Sequence, residues 1–517
     1  MKNTAISFEK TNQFSKIFLD YVNCQGNLTE FYDLFPTLDN FERQIQQKIS
    51  FPKENRQILY QSLQKQYQHL AKKPQIVLDL LLNERTFTVT TGHQLNIFSG
   101  TLYFHYKILT VIKTAQILRK KYPNYNFVPV YWMASEDHDF EEINNFRLFG
   151  KKYEWESKEK GAVGRFKTEG LQNVISQTAE MSPLFVDAYQ KHANLADATR
   201  FYVNELYASQ GLLVVDGDDR DLKKIFSPVI KQEILQQISL PKVQESSEKL
   251  KEKGYSAQVF PREINLFYLD NQIRERIVAE KDRFSVLNSN ISFSRAEIEA
   301  EIENNPQKFS PNVILRPVYQ EMILPNLSYT GGPGEFAYWF QLKGVFENFA
   351  VPFPILLPRN FALVLQKNDT AKMQKLGISI EDLFLGADQL KANFLAKKLQ
   401  NPVDLLEESR FLAEIFEKIS QKAEKIDITL GKSVQAEFQK TKTNLLNLEK
   451  KIRKAEENKH ETSLSQIQNL SEKLFPKGDL QERTDNFLNF YLNDQNFLSD
   501  LLESFDPFDL RFQVFEM

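Results

Sequence analysis

Apolar residues recur at helical intervals along the first eighty residues of the chain, as in Phe41, Ile45 and Ile49. Positions three or four apart lie on the same face of a helix. The pattern therefore predicts two or three amphipathic helices, each with one face that covers another part of the fold.

A different pattern begins at Thr86, where short β-prone runs alternate with helical or mixed segments. A glycine-containing loop and a helix predicted over 102–121 link the first two runs into a βαβ unit. Strands dispersed among helices favour a parallel sheet with helices on both faces, so we predict an α/β fold. Insertions at about 150–205 and 235–310 explain the long separations between later strands. The predicted strands are 86–91, 127–135, 212–216, 313–316 and 354–357.

Residues 387–475 contain one glycine, Gly431, and are dense in Lys, Glu, Gln and Leu. Apolar residues there alternate spacings of three and four, which is the heptad pattern of a coiled coil. Two antiparallel helices that turn near 427–433 and one long interrupted helix both fit the pattern. The heptad positions are Val434, Phe438, Thr441, Leu445, Leu448, Ile452 and Ala455.

These patterns divide the chain into three parts. We predict a core over 1–386, a coiled coil over 387–477, and a C-terminal segment over 478–517 that returns to the core as one more helix with an aromatic tail. The coiled coil is interpreted as a structural arm or as a contact between two subunits.

The composition excludes several classes of protein. Of the 517 residues, 42% are apolar and 26% charged, which rules out wholesale disorder and a membrane-embedded protein. Lys and Arg number 65 against 68 Asp and Glu, a formal net charge of −3. That balance gives no bulk attraction to nucleic acid or to an anionic membrane, so a local site must hold any anionic ligand.

The chain has a single cysteine, Cys24, which excludes an intramolecular disulfide and cysteine-based zinc modules. We expect Cys24 to be a small buried side chain in an N-terminal helix. A single cysteine fits a reducing compartment. Because the sequence shows neither an export signal nor an apolar stretch long enough to span a membrane, we predict a cytoplasmic protein.

The first candidate site is the loop Gly92-His93-Gln94-Leu95-Asn96, between the first predicted strand and the long helix. Ligands of open α/β sheets bind beyond the carboxyl ends of the strands, and N–H groups at a helix N-terminus bind phosphate. His93 is therefore assigned to catalysis through contact with a phosphate. Gly92, Gln94 and Asn96 are assigned to binding. The alternative is a loop histidine that is hydrogen-bonded to the backbone.

The second candidate site, Ser135-Glu136-Asp137-His138-Asp139, follows the second predicted strand. Four ionisable groups in a row cannot all be stable in one apolar environment, so some are predicted to be functional. Glu136, Asp137 and His138 are assigned to catalysis, with Asp137 or His138 as the base, and Ser135 and Asp139 to binding. Two alternatives stay open, because Asp139 could cap the next helix, or the last three residues could bind a divalent metal.

The third candidate site is the glycine-rich loop at 329–335, YTGGPGE, ahead of another helical segment. Glycines allow the backbone to approach a ligand closely and supply N–H donors for anions, and a glutamate suits the start of a helix. A plain tight turn is the alternative. The residues assigned to substrate or nucleotide binding are Tyr329, Gly331, Gly332, Gly334 and Glu335.

Three further candidates stand at predicted strand ends. Arg316 ends the fourth strand and Arg359 lies just beyond the fifth, where either guanidinium could clamp a carboxylate or phosphate or make a structural pair. Asp216 ends the third strand and is assigned to a ribose or amine contact, with a solvated turn as the alternative. No Walker loop, GxSxG, GxGxxG or HExxH is present, so P-loop kinases, serine hydrolases and zincins lose their main support.

Four blocks together resemble the cysteine-adding enzymes of bacillithiol biosynthesis, the cysteine ligases. The resemblance implies a Rossmann-like core of the nucleotidyltransferase type, related to class I aminoacyl-tRNA synthetases, with a coiled coil that makes a homodimer. It also implies the last step of bacillithiol synthesis, in which cysteine is joined to glucosaminyl malate. The blocks are TGHQLNIFSGTLYFHYK, VPVYWMASEDHDFEEIN, RPVYQEMILPNLSYTGGPGEFAYWFQLK and LFPKGDLQER.

Each candidate loop matches a block of this family, and the QER block adds Gln481, Glu482 and Arg483, of which Arg483 is assigned to binding. The chain departs from the wider synthetase-like superfamily in two places. Asn96 stands where a second histidine of the first motif is expected, and no convincing lysine-rich second signature loop is present. Both departures concern the motifs with which that superfamily forms an adenylate from ATP.

The resemblance suggests a mechanism in which ATP activates the carboxylate of cysteine and the amine of glucosaminyl malate then attacks. ATP or ADP is the expected nucleotide, and no metal cofactor is predicted. Two alternatives remain at this point: a nucleotide-binding dimeric scaffold without ligase activity, and a metal-dependent amidohydrolase that uses Asp137, His138 and Asp139.

Overall fold

The computed structural model describes residues 2–25, 27–178, 182–281, 283–398 and 404–517, apart from the side chains of residues 456 and 457. The chain forms two compact units. The first contains Met1–Leu363 and Gln481–Phe515, and the second contains Val364–Leu480 and Glu516–Met517. None of the helices in the described ranges has the length and apolarity that crossing a membrane requires.

The strands of the described chain are short, and most belong to two larger sheets of the first unit. They are β1 (Lys2–Ile6), β2 (Thr86–His93), β3 (Asn126–Met133), β4 (Asn145–Leu148), β5 (Lys151–Glu154), β6 (Leu213–Asp216), β7 (Leu266–Asp270), β8 (Ile273–Glu280), β9 (Arg283–Val286), β10 (Ser292–Ser294), β11 (Phe309–Pro311), β12 (Asn326–Gly331), β13 (Ile355–Pro358), β14 (Ala362–Leu365) and β15 (Phe512–Glu516).

Helices fill most of the remaining described chain. They are α1 (Lys16–Val22), α2 (Asn40–Lys48), α3 (Lys53–Gln66), α4 (Gln75–Leu80), α5 (Leu102–Lys121), α6 (Phe140–Ile143), α7 (Gln172–Thr178), α8 (Pro183–Lys191), α9 (Leu195–Tyr207), α10 (Arg220–Gln236), α11 (Ser239–Glu252), α12 (Arg295–Asn304), α13 (Arg316–Ile323), α14 (Pro333–Trp339), α15 (Lys343–Asn348), α16 (Lys367–Leu376), α17 (Ala387–Lys398), α18 (Leu406–Glu424), α19 (Leu430–Lys459), α20 (Glu461–Leu474), α21 (Leu488–Tyr491) and α22 (Phe497–Ser504).

The central sheet has the order β13-β12-β2-β3-β6, and every neighbouring pair is parallel. Counted along the chain, this is the order 5-4-1-2-3, so the connections reverse direction between β2 and β12. A doubly wound sheet leaves a crevice at the carboxyl ends of the strands at such a switch point. The prediction of a parallel α/β sheet is confirmed, and the helix predicted over 102–121 is α5.

The strand predicted at 313–316 is wrong, because these residues form a turn that leads into α13. The Asn312 side chain accepts a hydrogen bond from the N–H of Ile314 at 2.9 Å, and Pro317 stands in the first turn of the helix, which favours helix initiation. The fourth strand of the sheet is instead β12. Arg316 therefore begins a helix and does not end a strand.

Two segments are inserted between the strands of the central sheet. The first, between β3 and β6, contains the β4–β5 hairpin and α7, α8 and α9. The second, between β6 and β12, contains an antiparallel sheet of order β10-β9-β8-β7-β11, which we call the inserted sheet. Along the chain, α10 and α11 precede the inserted sheet, and α12 lies between β10 and β11.

Both ends of the first unit differ from expectation. Four helices, α1 to α4, precede the sheet, where two or three were predicted. Cys24 is exposed and follows α1 with a left-handed backbone (φ 53°), so it is not the buried helical residue expected. The C-terminal segment is not one helix either. It contains α21 and α22 and ends in β15, a neighbour of β1 in a small sheet.

In the second unit, α18 and α19 form an antiparallel helical hairpin that turns between residues 424 and 430. The rings of Phe416 and Phe438 lie 5.4 Å apart between them. Of the two arrangements that the heptad pattern allowed, the structure has the antiparallel pair. A separate small core packs Leu376, Leu390, Phe394 and Ile467 together.

Candidate active site

A cavity of about 740 Å³ opens at the carboxyl ends of β2, β3 and β12, at the switch point of the central sheet. Predicted residues from all three candidate loops line it. From the predicted set these are Gly92, His93, Gln94, Glu136, Asp137, Arg316, Tyr329 and Glu335. The inserted sheet and its flanking loops supply the rest of the wall, including Arg262, Phe267, Arg274 and Arg276.

His93 is the last residue of β2, and its imidazole stacks on the ring of Tyr103 with the ring centres 5.0 Å apart. Burial, reinforced by the nearby positive charges of Lys107 and Arg359, holds the pKa of His93 well below its ordinary value. The imidazole is therefore neutral at neutral pH. Its Nε2 is buried and has no hydrogen-bond partner among the described residues, and His93 as a residue borders the cavity.

A buried lysine on α5 connects the first and third candidate loops. The Lys107 ammonium donates to the Gly92 carbonyl at 2.9 Å and pairs with the Glu335 carboxylate at 2.6 Å. Glu335 also accepts hydrogen bonds from the Tyr329 hydroxyl (2.5 Å) and the Gly332 N–H (2.9 Å). Burial opposes ionisation, but these partners outweigh it and lower the pKa of Glu335, which stays ionised.

Gly92 lets side chains from other elements approach β2 closely. A Cβ atom at this position would lie 3.2 Å from the Tyr329 hydroxyl and 3.7 Å from Nη1 of Arg316. Arg316 itself donates to Gln320 at 2.9 Å, and its guanidinium lies 5.9 Å and 5.4 Å from the ring centres of Trp132 and Tyr329. A Cβ atom at position 92 would therefore crowd the tyrosine hydroxyl and touch the guanidinium.

Glu136 follows β3 and pairs with a fully buried lysine of α10. The Lys223 ammonium donates to the Glu136 carboxylate at 2.5 Å and to the Phe309 carbonyl of β11 at 2.7 Å. Burial raises the pKa of Glu136 to about 7, despite the opposing charges of Lys223 and Arg274. A carboxyl group of this kind can exchange a proton near neutral pH, which is the property required of a general base or acid.

Asp137 is held in the opposite protonation state. Its carboxylate accepts hydrogen bonds from the Gln94 amide at 2.9 Å and from the N–H groups of His138 (2.7 Å) and Asp139 (3.3 Å). Burial raises its pKa, but the Gln94 amide, the Arg274 guanidinium and these N–H donors bring the pKa below its ordinary value. Asp137 is therefore a fixed negative charge and a weak base.

His138 is half exposed and does not border the cavity. Its Nδ1 accepts a hydrogen bond from the Arg274 guanidinium at 2.6 Å. Burial and the charge of Arg274 lower its pKa, so the ring is neutral. Because the guanidinium occupies the position that a cation would take beside Nδ1, the set Asp137, His138 and Asp139 does not fit a divalent metal. Asp139 precedes α6 but makes no side-chain capping bond.

Ser135 and Asp216 lie away from this cavity. The Ser135 hydroxyl donates to the Asp216 carboxylate, and both border a separate cavity of about 250 Å³ with Arg165 and Asp218. Asn96 donates to the Glu142 carbonyl at 2.9 Å, which fixes the loop after β2. Gly331, Gly332 and Gly334 shape the turn into α14 and do not border the 740 Å³ cavity.

The sequence allowed Arg359 either to clamp a ligand or to form a structural ion pair, and in the structure it forms the ion pair. Its guanidinium forms a buried ion pair with Glu482, whose other carboxylate oxygen accepts the Ala362 N–H at 3.0 Å. Arg359 is 3% exposed and Glu482 is fully buried. Arg483, the next residue along, is exposed. Neither arginine borders the cavity, although the Arg359 guanidinium lies 5.3 Å from the ring centre of Tyr103.

Two N–H groups at the start of α5, where a phosphate was expected, already have partners, and that of Phe104 donates to the Thr101 carbonyl at 3.1 Å. A short turn at 97–99 separates β2 from α5, and the Leu102 N–H donates to the Asp485 carbonyl at 2.8 Å. What α5 presents to the cavity is the side chains of Tyr103 and Lys107.

Comparison with known proteins assigns the family. The model described as "Bacillithiol biosynthesis BshC, N-terminal Rossmann-like domain" matches residues 1–360, and that described as "Bacillithiol biosynthesis BshC, C-terminal coiled-coil domain" matches residues 362–517. The chain belongs to the BshC family. The family resemblance stated from the four sequence blocks is confirmed, as are the Rossmann-like and coiled-coil parts of the fold.

Curated BshC relatives extend over the whole chain. Proteins named "Putative cysteine ligase BshC" from Flavobacterium johnsoniae and Flavobacterium psychrophilum are 44% and 45% identical, each over 99% of both chains. One of the same name from Bacillus mycoides is 26% identical over 97% of this chain and 98% of its own. A solved structure titled as a putative arginyl tRNA synthetase from Campylobacter jejuni covers 89% of this chain and 95% of its own, but with 12% identity and a TM-score of 0.22 it supports no conclusion.

Several residues around the cavity of this BshC chain were not predicted. Lys107 could have been noticed as a lysine inside the mostly apolar helical run YFHYKILTVI. Arg274 and Arg276 alternate along IRERI, the period that puts two side chains on one face of a strand. Lys223 gives no such signal, because nothing near it in sequence shows that it will pair with Glu136.

Proposed function

We propose that this chain is a ligase that joins the carboxyl group of L-cysteine to the amine of glucosaminyl malate, the amide-forming last step of bacillithiol biosynthesis. The family assignment and the names of the curated relatives support a cysteine ligase. The observation that carries the proposal is one cavity at the switch point of the sheet that combines a neutral histidine, a carboxyl group with a pKa near 7 and several cations.

The carboxylate of cysteine must be activated before an amine can attack it. In the proposed reaction a carboxylate oxygen attacks a phosphorus atom of ATP, and either pyrophosphate or ADP leaves. The amine then attacks the activated carbonyl carbon, and AMP or phosphate leaves as the amide forms. We assign the His93 imidazole and the positive charge of Lys107 to stabilising the negative charge that develops on oxygen.

The attacking amine must lose a proton, and Glu136 is the best-suited base. Its pKa of about 7 allows it to be ionised at neutral pH and still to bind a proton strongly. Asp137 is a weaker base, and His138 lies outside the cavity wall. We therefore assign the base to Glu136, where the sequence pointed to Asp137 or His138.

The proposal is tested by incubating the purified protein with cysteine, glucosaminyl malate and ATP. We expect the amide product by mass spectrometry, together with AMP if the intermediate is an adenylate or ADP if it is an acyl phosphate. Product formed without nucleotide consumption would eliminate the activation step. Absence of product under conditions in which both substrates bind would eliminate the ligase.

Replacing His93 with alanine is expected to lower turnover by about 100-fold or more, the effect of removing one donor that stabilises a developing oxyanion. Steady-state kinetics should show the loss in kcat. His69→Ala, a change of an exposed histidine in the same unit, serves as the control and should leave kcat unchanged. A loss below about threefold for His93→Ala would return His93 to a packing role.

We further propose that the helical hairpin of α18 and α19 joins two copies of the chain into a homodimer. Phe411, Ile415 and Leu448 are 62%, 53% and 50% exposed in the single chain, and they border an apolar groove with a volume of about 490 Å³. Apolar side chains gathered on one face favour contact with another surface.

Light scattering is expected to give the mass of a dimer for the native protein and of a monomer for the variant Phe411→Glu/Ile415→Glu. The exposed substitution Lys418→Glu on the same helix should leave the dimer intact. A native protein that is monomeric at micromolar concentration would refute the dimer.

A further inference from the structure

Two arginines that border the cavity retain unused hydrogen-bond donors. Nε of Arg276 and Nη2 of Arg316 are buried, and neither has a hydrogen-bond partner among the described residues. A buried donor without a partner costs free energy, more so on a charged group, and such an atom in a native protein calls for an explanation. A bound anion would supply the missing acceptor for both.

Of the other cations that border the cavity, Lys107 and Arg274 are already engaged, and Arg262 is exposed. Lys107 pairs with Glu335, and Arg274 donates to His138 and to the Ser310 hydroxyl at 3.2 Å. In the described part of the chain, neither Arg276 nor Arg316 forms an ion pair with a carboxylate within 4.0 Å. Among the described arginines that border the cavity, these two are therefore the ones that combine a buried donor without a partner with capacity to bind an acidic ligand.

The two arginines come from different elements. On β8, Arg276 lies directly opposite Phe267 of β7 in the antiparallel register, on the same face as Arg274 two residues away. Arg316 begins α13 and is held by Gln320. A guanidinium presents paired N–H groups that match a carboxylate, so two guanidiniums suit a ligand with two carboxylates.

We propose that Arg276 and Arg316 form a subsite that binds the two carboxylates of the malate group and thereby selects the acceptor. The proposal rests on the ligase function proposed above. Arg274, on the same face of β8 as Arg276, acts electrostatically on Glu136, so the inserted sheet lies near the base. An acceptor anchored on Arg276 by its malate group can therefore extend its amine towards Glu136.

The kinetic test compares glucosaminyl malate with methyl glucosaminide, which keeps the amine but lacks both carboxylates. Arg276→Gln and Arg316→Gln are each expected to lower kcat/KM for glucosaminyl malate by about 30-fold, mainly through KM, because each removes one partner of a buried charge pair. The same variants should change kcat/KM for methyl glucosaminide by less than about twofold. Arg283→Gln, an exposed arginine of the same inserted sheet, is the control and should affect neither acceptor.

An equal loss with both acceptors would show that the arginines support the structure rather than select the acceptor, and would overturn the proposal. No loss with glucosaminyl malate would overturn it as well. Arg276→Lys and Arg316→Lys retain the charge without the paired donors, and we expect them to restore less than half of the lost kcat/KM. Full rescue by lysine would contradict paired carboxylate recognition.

Calorimetric titration distinguishes a carboxylate ligand from a phosphate ligand. It also tests the subsite independently of ligase activity. L-malate and inorganic phosphate are titrated into the native protein and the two glutamine variants. Loss of malate binding with phosphate binding retained supports the subsite, even if no ligase product forms. Loss of phosphate binding alone would assign the arginines to a nucleotide phosphate and overturn the proposal.

Discussion

Replacing Glu136 with glutamine is expected to lower kcat/KM by about 1,000-fold, the middle of the range for removing a general base. The wild-type enzyme should lose activity as the pH falls below about 7, because Glu136 must be ionised to accept the proton of the amine and its pKa is about 7. Glutamine does not titrate, so the loss of activity that is due to protonation of Glu136 should be absent from the pH–rate profile of the variant. Ionisation of the acceptor amine affects both proteins equally.

The measurement is kcat/KM between pH 5.5 and 9 for the native protein, Glu136→Gln and Glu141→Gln. We expect the acid limb of the native enzyme to have its midpoint at a pH of about 7. Glu141 is an exposed carboxylate five positions away that does not border the cavity, so its variant should behave like the native protein. A Glu136→Gln enzyme whose acid limb has the same midpoint and slope as that of the native enzyme would assign the base elsewhere.

Replacing Glu482 with glutamine is expected to lower the free energy of unfolding of the first unit by about 3–5 kcal/mol, the cost of leaving a buried charge without its partner. The residue that loses its partner is Arg359, which is 3% exposed. Glutamine can still accept the Ala362 N–H, so the loss reports chiefly on the ion pair.

Tryptophan fluorescence in urea is suited to this measurement, because Trp132, Trp155 and Trp339 all belong to the first unit. Glu154→Gln removes one member of an exposed pair with Lys152 and should have little effect. A Glu482→Gln protein as stable as the native one would mean that Arg359 finds another partner or reaches water.

The strands of the central sheet were predictable where apolar residues dominate. β2 and β3 are recognisable from TFTVTT and FVPVYWM, and the helix between them follows from its spacing. β12 was missed because Asn326, Ser328 and Thr330 look like loop residues, although all three are fully buried. The Asn326 amide donates a hydrogen bond to Glu321 at 2.6 Å and accepts hydrogen bonds from Thr88 and Thr90. The two threonines are distant in sequence, so a local pattern cannot reveal them.

The residues of the candidate site that lie at strand ends could be predicted from the sequence. His93 ends β2 and Glu136 comes shortly after the adjacent parallel strand β3, so the topology brings them to one edge of the sheet. The protonation states depend on partners that are distant in sequence. Lys223 lies 87 positions from Glu136, and Arg274 lies 136 positions from His138. Arg359 was assigned to substrate from its position alone, since nothing in the sequence indicates a partner 123 positions away.

A crystal structure of the protein with glucosaminyl malate bound tests most directly whether the cavity at the switch point is where the amide forms. We expect the amine of the ligand within hydrogen-bond distance of the Glu136 carboxylate and its two carboxylates on Arg276 and Arg316. Glucosaminyl malate bound outside this cavity, with His93 and Glu136 unoccupied, would contradict the assignment of the site.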